Sequence, residues 1–321
     1  MPETTIRPGH MEISDLIVAE VGKSFVGNDT AIRKILFTLL AGGHVLLEDL
    51  PGVGKTTLAM AFSKVLKLSC HRIQFTPDIM PADVTGFTML RQDTQAMEYR
   101  AGAVMCNLLL ADEINRASTR TQSALLEAME ENAVTVDGVT HALPQPFMVI
   151  ATQNPSGSSG TQLLPESQTD RFMMRLSLGY PDEKAELEML LRKHGEGEAE
   201  PVVRLTSAAG LLEMRRQVSE IYVAKAIYRY ILRLVRATRS HESVAQGASP
   251  RGSVALMALS QASAYVAGRD FVIPEDVQGI YTDCIAHRLI LKAQAKHDGV
   301  SPESVLTDIL DSTEAPHLRL K

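Results

Sequence analysis

A chain of 321 residues, 45% apolar and 22% charged, has the length for two domains of ordinary size and the apolar content for a sizeable core. Its formal charge of −6 argues against a dedicated nucleic-acid binder, and Cys70, Cys106 and Cys284, odd in number and widely spaced, argue against a disulfide framework or a metal cluster. The first five residues lack a basic-then-apolar signal and no apolar run is long enough to span a bilayer, so the expected location is the cytoplasm.

Residues 13–23 and 29–40 carry the spacing of amphipathic helices, with Val26-Gly27-Asn28-Asp29 between them as a turn ending in a helix cap. Val45-Leu46-Leu47 is an apolar run too short for a helix, preceded by glycines, and predicts a buried strand. Pro51, Gly52 and Gly54 then force a tight loop, after which Thr57-Leu58-Ala59-Met60-Ala61-Phe62 opens a helix. Strand, glycine loop, Lys55-Thr56 and helix together form the phosphate-binding P-loop pattern, whose ligand is a nucleoside triphosphate. The expected binding residues are Asp49, Leu50, Pro51, Gly52, Val53, Gly54, Lys55, Thr56 and Thr57. Phosphate oxygens must approach backbone N–H groups closely, the helix N-terminus attracts the same anion, Lys55 adds charge for the β- and γ-phosphates, and Thr56 offers a hydroxyl to Mg²⁺. The pattern's first glycine is Asp49 here. Aspartate tolerates turn conformations, but a carboxylate so near phosphate has to point away.

Further along, residues 70–75 alternate as a second strand and Pro77 and Pro81 break regularity. Strand-like residues on both sides of Gln92-Asp93-Thr94-Gln95 predict a hairpin over 87–100. Residues 107–113 form a buried strand ending in Asp112 and Glu113, and a helix follows over 119–131. Asp137-Gly138 suits a two-residue type I′ turn, so 134–140 reads as a second hairpin. Another buried strand spans 147–152, a polar loop 154–166, and a last strand 173–178. Buried apolar strands separated by helices mean a doubly wound parallel sheet. Near Tyr180-Pro181 the pattern turns to helices only, including 253–266 and 275–291, with a surface linker at 194–198 and a loose tail after Asp311. The organisation read from this is an α/β domain over 1–179 and a small helical domain over 180–321.

Asp112 and Glu113 lie at the C-terminal end of a strand, where open parallel sheets place ligands. Because neighbours on a strand point opposite ways, Asp112 is expected to hold the Mg²⁺ shell and Glu113 to polarise the attacking water. Asn154, at the end of the next strand, carries an amide able to donate to phosphate and accept from water, although alone it is an ordinary turn residue before proline. Asp170-Arg171-Phe172 and Ser249-Pro250-Arg251 each set an arginine at a structural boundary, Ser249 as helix cap and Pro250 at the first helical position. Standing alone, either arginine is more simply a surface ion pair. The stripe Arg229, Arg233, Arg236 reads as a solvated or subunit-facing helix side, and His287 beside Arg288 as a structural hydrogen-bonder.

The order of these pieces resembles the AAA+ ATPases, and the MoxR family in particular, over about residues 22–291. The most specific stretches are Arg72-Ile73-Gln74-Phe75-Thr76-Pro77-Asp78, Ala111-Asp112-Glu113-Ile114-Asn115-Arg116-Ala117, Thr121-Gln122-Ser123-Ala124-Leu125-Leu126-Glu127-Ala128-Met129, Leu164-Pro165-Glu166 and Gly247-Ala248-Ser249-Pro250-Arg251. The resemblance implies a AAA+ α/β domain with a helical lid, ATP and Mg²⁺ as cofactors, Asn154 as sensor 1, Arg171 as arginine finger and Arg251 as sensor 2. It makes the two hairpins the pore-facing inserts of the clade, and implies a homo-oligomeric, hexameric ring. It also implies a protein client to remodel and a partner carrying a von Willebrand A domain. Adenine is expected near Val26, with Tyr180 and Pro181 closing the pocket. Two alternatives stay open: a nucleic-acid motor or loader of the same clade, and a nucleotide-gated scaffold with little turnover. The acidic net charge weighs against the first and the intact Asp112-Glu113 pair against the second.

Overall fold

The computed structural model describes residues 8–49, 52–93, 95–153, 164–194 and 202–317. The chain begins with α1 (Pro8–Ser24) and α2 (Asp29–Leu40), then β1 (Val45–Glu48), α3 (Lys55–Leu66) and β2 (Cys70–Gln74). A short α4 (Pro81–Thr85) leads into the hairpin β3 (Gly86–Leu90) and β4 (Met97–Ala101), followed by β5 (Leu108–Asp112) and α5 (Thr119–Glu131). A second hairpin, β6 (Ala133–Val136) and β7 (Val139–Ala142), precedes β8 (Met148–Gln153), α6 (Glu166–Thr169) and β9 (Met174–Leu176). The remainder comprises α7 (Glu183–His194), α8 (Ala208–Ser219), α9 (Lys225–Ser240), β10 (Val244–Gln246) and α10 (Pro250–Val266), then α11 (Pro274–Ile285), β11 (Ile290–Leu291), α12 (Ala293–His297) and α13 (Pro302–Ser312).

β2, β5, β8, β1 and β9 form, in that order, one parallel five-stranded sheet. Alternate side chains of each strand point to opposite faces, and the sheet accordingly separates two cores. Val45, Leu47, Leu108, Leu110, Met148 and Ile150 pack with α1, α2 and α3. Leu46, Leu109, Ala111, Val149 and Ala151 pack with Leu125, Leu126, Ala128 and Met129 of α5. The first core runs on without a break into the lid, through Leu211, Ile227, Leu234, Leu256, Ile280, Tyr281 and Leu306. Lid and sheet therefore share one apolar interior.

Local signals explain much of this. Asn28 caps α2 by accepting the Ala31 N–H at 2.8 Å, and Asp137 and Gly138 both take positive φ (49° and 80°), as a type I′ turn requires. The lid departs from the helices-only expectation, because β10 and β11 pair antiparallel with a register shift between Val244 and Gln246. The helix expected over 275–291 stops at Ile285; a 3₁₀ turn, Ala286–Arg288, follows, in which Arg288 donates to Asp170 at 2.8 Å and His287 meets the Phe172 carbonyl at 3.0 Å. Those bonds are worth more to buried polar groups than another helical turn. The tail is also tied down further than expected: Arg233 donates to the Glu314 carbonyl at 2.8 Å. Gly195, Glu196, Gly197 and Glu198 of the expected linker fall outside the described residues.

His44 joins the end of α5 to the sheet. Its Nδ1 accepts the Val149 N–H at 2.9 Å, which leaves Nε2–H to donate to the Met129 carbonyl at 3.1 Å. Burial pushes its pKa down to about 4 against the ordinary 6.5, the Met129 carbonyl opposing that shift and Arg215 adding to it. An imidazole held neutral in the fold supports stability above pH 6.5. Below that the unfolded chain takes up the proton first, so up to about 3 kcal/mol is lost as pH falls to about 4. His44→Gln keeps a donor and an acceptor and cannot protonate, so urea unfolding between pH 6.5 and 4.5 should fall more steeply for the natural chain than for the variant. Parallel slopes would remove His44 as the titrating group.

Candidate functional site

At the C-terminal end of β1 the chain turns through Gly52 and Gly54, both at positive φ (93° and 89°). A Cβ on Gly54 would also press the Phe25 ring at 3.0 Å. Gly54 caps α3 without a side-chain hydrogen bond, so the first amides of α3 keep their donors for another acceptor. With the helix dipole behind them, these donors fit an anion, which is the chemistry a triphosphate needs. Lys55 opens the helix, its Nζ donating to the Asp49 carbonyl at 2.8 Å. Burial lowers its pKa, while the charges of Asp49, Asp112 and Glu113 pull it back up. Thr56 and Thr57 follow on the first turn, and Leu50 and Pro51 fall outside the described residues.

The Asp49 carboxylate does point away. It accepts from Ser177 Oγ at 2.6 Å, the Leu178 N–H at 2.7 Å and the Gly179 N–H at 3.2 Å. Asn28 Nδ2 donates to the Leu178 carbonyl at 2.9 Å, so the turn beyond β9 is gripped from both sides. Where the usual pattern has glycine, this chain has a clamp between the start of the loop and the turn beyond β9.

Asp112 ends β5 and lies buried beneath two contacts: Arg72 Nε donates to it at 2.7 Å and Thr152 Oγ1 at 3.4 Å. Glu113 is not the opposite-facing strand neighbour that alternation predicted. It has left the strand with φ 54°, its N–H donating to Thr152 Oγ1 at 2.9 Å and its carboxylate paired with Arg116 at 2.8 Å. The left-handed turn, rather than strand pleat, is what separates the two acids. Thr152 bridges both, and composition carried no sign of that role. Glu48 meets Gln153 at 3.0 Å and Arg175 at 3.1 Å beside them. Asn154 falls outside the described residues.

The cavity next to the loop is lined by Phe25, Val26, Gly27, Val53, Pro181 and Met189, among others. Tyr180 is not in that lining. Its side chain is 75% exposed, and the apolar closing wall comes from Met189 of α7 instead.

Neither arginine expected at the site lines this cavity. Arg171 pairs with Glu130 at 2.7 Å, and Arg251 reaches the other oxygen of the same carboxylate. Ser249 caps α10, as its place before Pro250 predicts, and donates to Asp170 at 3.1 Å; Asp170 in turn holds Arg288. The structure thus assembles two groups of residues: Lys55 near Asp112 and Glu113 at the sheet end, and Arg171 with Arg251 on Glu130. Glu130 escaped the sequence reading because an acid near a helix end looks like any solvated residue. Among the described residues no group of three His, Cys, Asp or Glu side chains could hold a metal by itself, the three cysteines are free thiols, and no helix is long and apolar enough to cross a membrane.

A glycine loop and an acidic strand end on one edge of a five-stranded parallel sheet, with a helical lid sharing its core, define a AAA+ ATPase fold. Residues 44–174 match the profile of the ATPase family associated with various cellular activities (AAA), and residues 236–309 that of the AAA lid domain. The chain is 44% identical over 299 residues to protein YeaC of Bacillus subtilis (strain 168), covering 93% of each. It is 40% identical over 311 residues to Chaperone MoxR1 of Mycobacterium tuberculosis, covering 94% of this chain and 82% of that one. A solved structure from Cytophaga hutchinsonii superposes with a TM-score of 0.90 at 36% identity, covering 97% of both chains. The chain belongs to the MoxR family of AAA+ ATPases.

Proposed function

We propose that this chain hydrolyses ATP within a hexameric ring of identical subunits and uses the turnover to remodel a protein client. One observation carries the reading: Lys55 shares a sheet edge with Asp112 and Glu113, whereas Arg171 and Arg251 stand together elsewhere on Glu130. On this reading residues 49–57 hold the triphosphate, with Asn154 beside the γ-phosphate and adenine against Val26. Thr56 and Asp112 would hold Mg²⁺, which supplies charge neutralisation on the transferred phosphoryl group. Glu113 orients the attacking water. The two arginines, absent from the lining of their own subunit's cavity, complete a neighbour's site, a task that suits a planar, permanently charged donor fork. The same reading divides the chain into an α/β domain over 1–179 and a lid over 180–321, and the φ of 67° at Gly179 with its bond to Asp49 supports a turn between them.

The name of the mycobacterial relative supports a chaperone-like role. So does the β3–β4 hairpin, which presents Phe87, Met89, Leu90 and Met97 to solvent, apolar surface suited to a protein chain. A partner with a von Willebrand A domain and a cytoplasmic location belong to the same proposal. The competing reading, a nucleic-acid motor, draws on Arg229, Arg233 and Arg236. Steady-state ATPase rates across a salt series separate the two. Single- or double-stranded DNA or RNA should leave the rate unchanged at moderate salt. Stimulation of several-fold that fades steeply with salt and vanishes when the three arginines become glutamine would replace the client reading with the nucleic-acid one. Intact nucleotide binding with negligible turnover would leave a gated scaffold.

A further inference from the structure

α7 is an anomaly on the surface. Among its described side chains Ala185 is the buried one, pressed against the turn at Gly27. Leu187, Leu190 and Leu191 are exposed, Leu190 by 67%. At about 100° per residue these leucines, with Glu183 and Glu186, form one stripe on the side away from Ala185. Neither glutamate side chain has a partner among the described residues. A leucine stripe left in water on a helix beside a ligand cavity is costly unless something covers it.

A surface of opposite character lies on the lid. The outer side of α9, the first turn of α10 and the segment after α13 form an open groove lined by Arg229, Leu232, Arg233, Arg236 and Val254. Leu232 and Val254 are exposed by 50% and 62%. Arg233 donates to the Glu314 carbonyl and lies 5.8 Å from the Tyr230 ring centroid, and Arg229 and Arg236 have no partner among the described residues. In a chain of net charge −6, this groove gathers Arg229, Arg233, Arg236 and Arg239 against a single lining carboxylate, that of Glu314, which leaves a focused positive field along the concavity. Its leucine and arginine pattern complements the leucine and glutamate pattern of α7.

We propose that α7 of one subunit docks in the α9–α10 groove of the next. The pairing rests on the reading that Arg171 and Arg251 act on a neighbour's nucleotide, and position supports it. Met189 of α7 lines the cavity beside the glycine loop, so a nucleotide there lies against α7. Val254 follows Arg251 by only about 4.5 Å along the axis of α10. An Arg251 that reaches a neighbour's phosphate therefore brings the groove to that neighbour's α7. Charge complementarity chooses a second copy over an unrelated acidic partner, because the chain itself carries the matching face.

Charge exchange tests it. Glu183→Lys with Glu186→Lys, and separately Arg229→Glu with Arg236→Glu, alter exposed positions, so circular dichroism and fluorescent-ATP binding should match the natural chain. Each pair should raise the protein concentration needed for assembly with ATPγS, read by sedimentation velocity, by about tenfold or more. All four changes in one chain should restore assembly. So should a one-to-one mixture of the two variants, since every contact in an alternating ring is again between opposite charges. Either reversed pair assembling like the natural chain, or no recovery in both the four-change chain and the mixture, overturns the pairing. So does a natural chain that binds ATPγS and stays monomeric, or groove variants that lose only binding to a single-stranded RNA oligomer. Failure of the natural chain to bind fluorescent ATP would instead sink the ATPase reading beneath it.

Discussion

Lys55→Ala is expected to abolish tight ATP binding, whereas Glu113→Gln should bind ATP normally and turn it over about 10²-fold or more slowly. The contrast follows from where the two side chains stand. Lys55 sits at the mouth of α3 with its Nζ on the Asp49 carbonyl, so its loss loosens the loop that presents the amides and, on the proposed reading, removes a phosphate contact. Glu113 is held by its backbone, through the left-handed turn and the bond to Thr152, and its carboxylate meets Arg116. A glutamine there keeps the shape and one acceptor for Arg116 but loses the charge that, on the proposed reading, polarises water. Equilibrium binding of a fluorescent ATP analogue, run beside phosphate release, measures both. Equal loss of affinity in the two variants would make Glu113 a structural residue.

What the sequence made legible, and what it hid, divides along physical lines. The central strands were legible because strands buried on both faces are apolar at every position, as in Leu108, Leu109 and Leu110. The second hairpin was legible because Asp137-Gly138 admits few other conformations. β10 and β11 are three and two residues long, shorter than any period that could reveal them. The end of α11 was hidden because Ala286 and Leu289 continue an apolar pattern while the chain turns to serve Asp170. At the site, Gly52, Gly54 and Lys55 announce themselves through residue types that little else explains. Thr152 between Asp112 and Glu113, Glu130 between two arginines, and the grip of Asp49 on 177–179 are contacts between distant segments, made by residues ordinary in isolation. Register and topology create them, and no local pattern records either.

The arginine pair leads to the last expectation. Arg171→Ala should bind ATP almost normally and hydrolyse it on the order of 10³-fold more slowly, the scale of a missing arginine finger. Mixed with Glu113→Gln subunits it should regain activity, because the Glu113→Gln subunit lends its intact Arg171 to a neighbour whose Glu113 is intact. No regain across mixing ratios, with mixed rings confirmed by native mass spectrometry, would count against a finger supplied in trans. Arg251 makes the test sharper. Because it shares the Glu130 carboxylate with Arg171, both should serve the same neighbour's nucleotide. A mixture of Arg171→Ala and Arg251→Ala subunits should then stay inactive, since every interface lacks one of the two arginines. If Arg251 instead served its own subunit's nucleotide, the Arg171→Ala subunit would keep its Arg251 and borrow Arg171 from its neighbour, and activity would return. Phosphate release from that single mixture therefore decides whether the pair held by Glu130 acts as one unit across the subunit boundary.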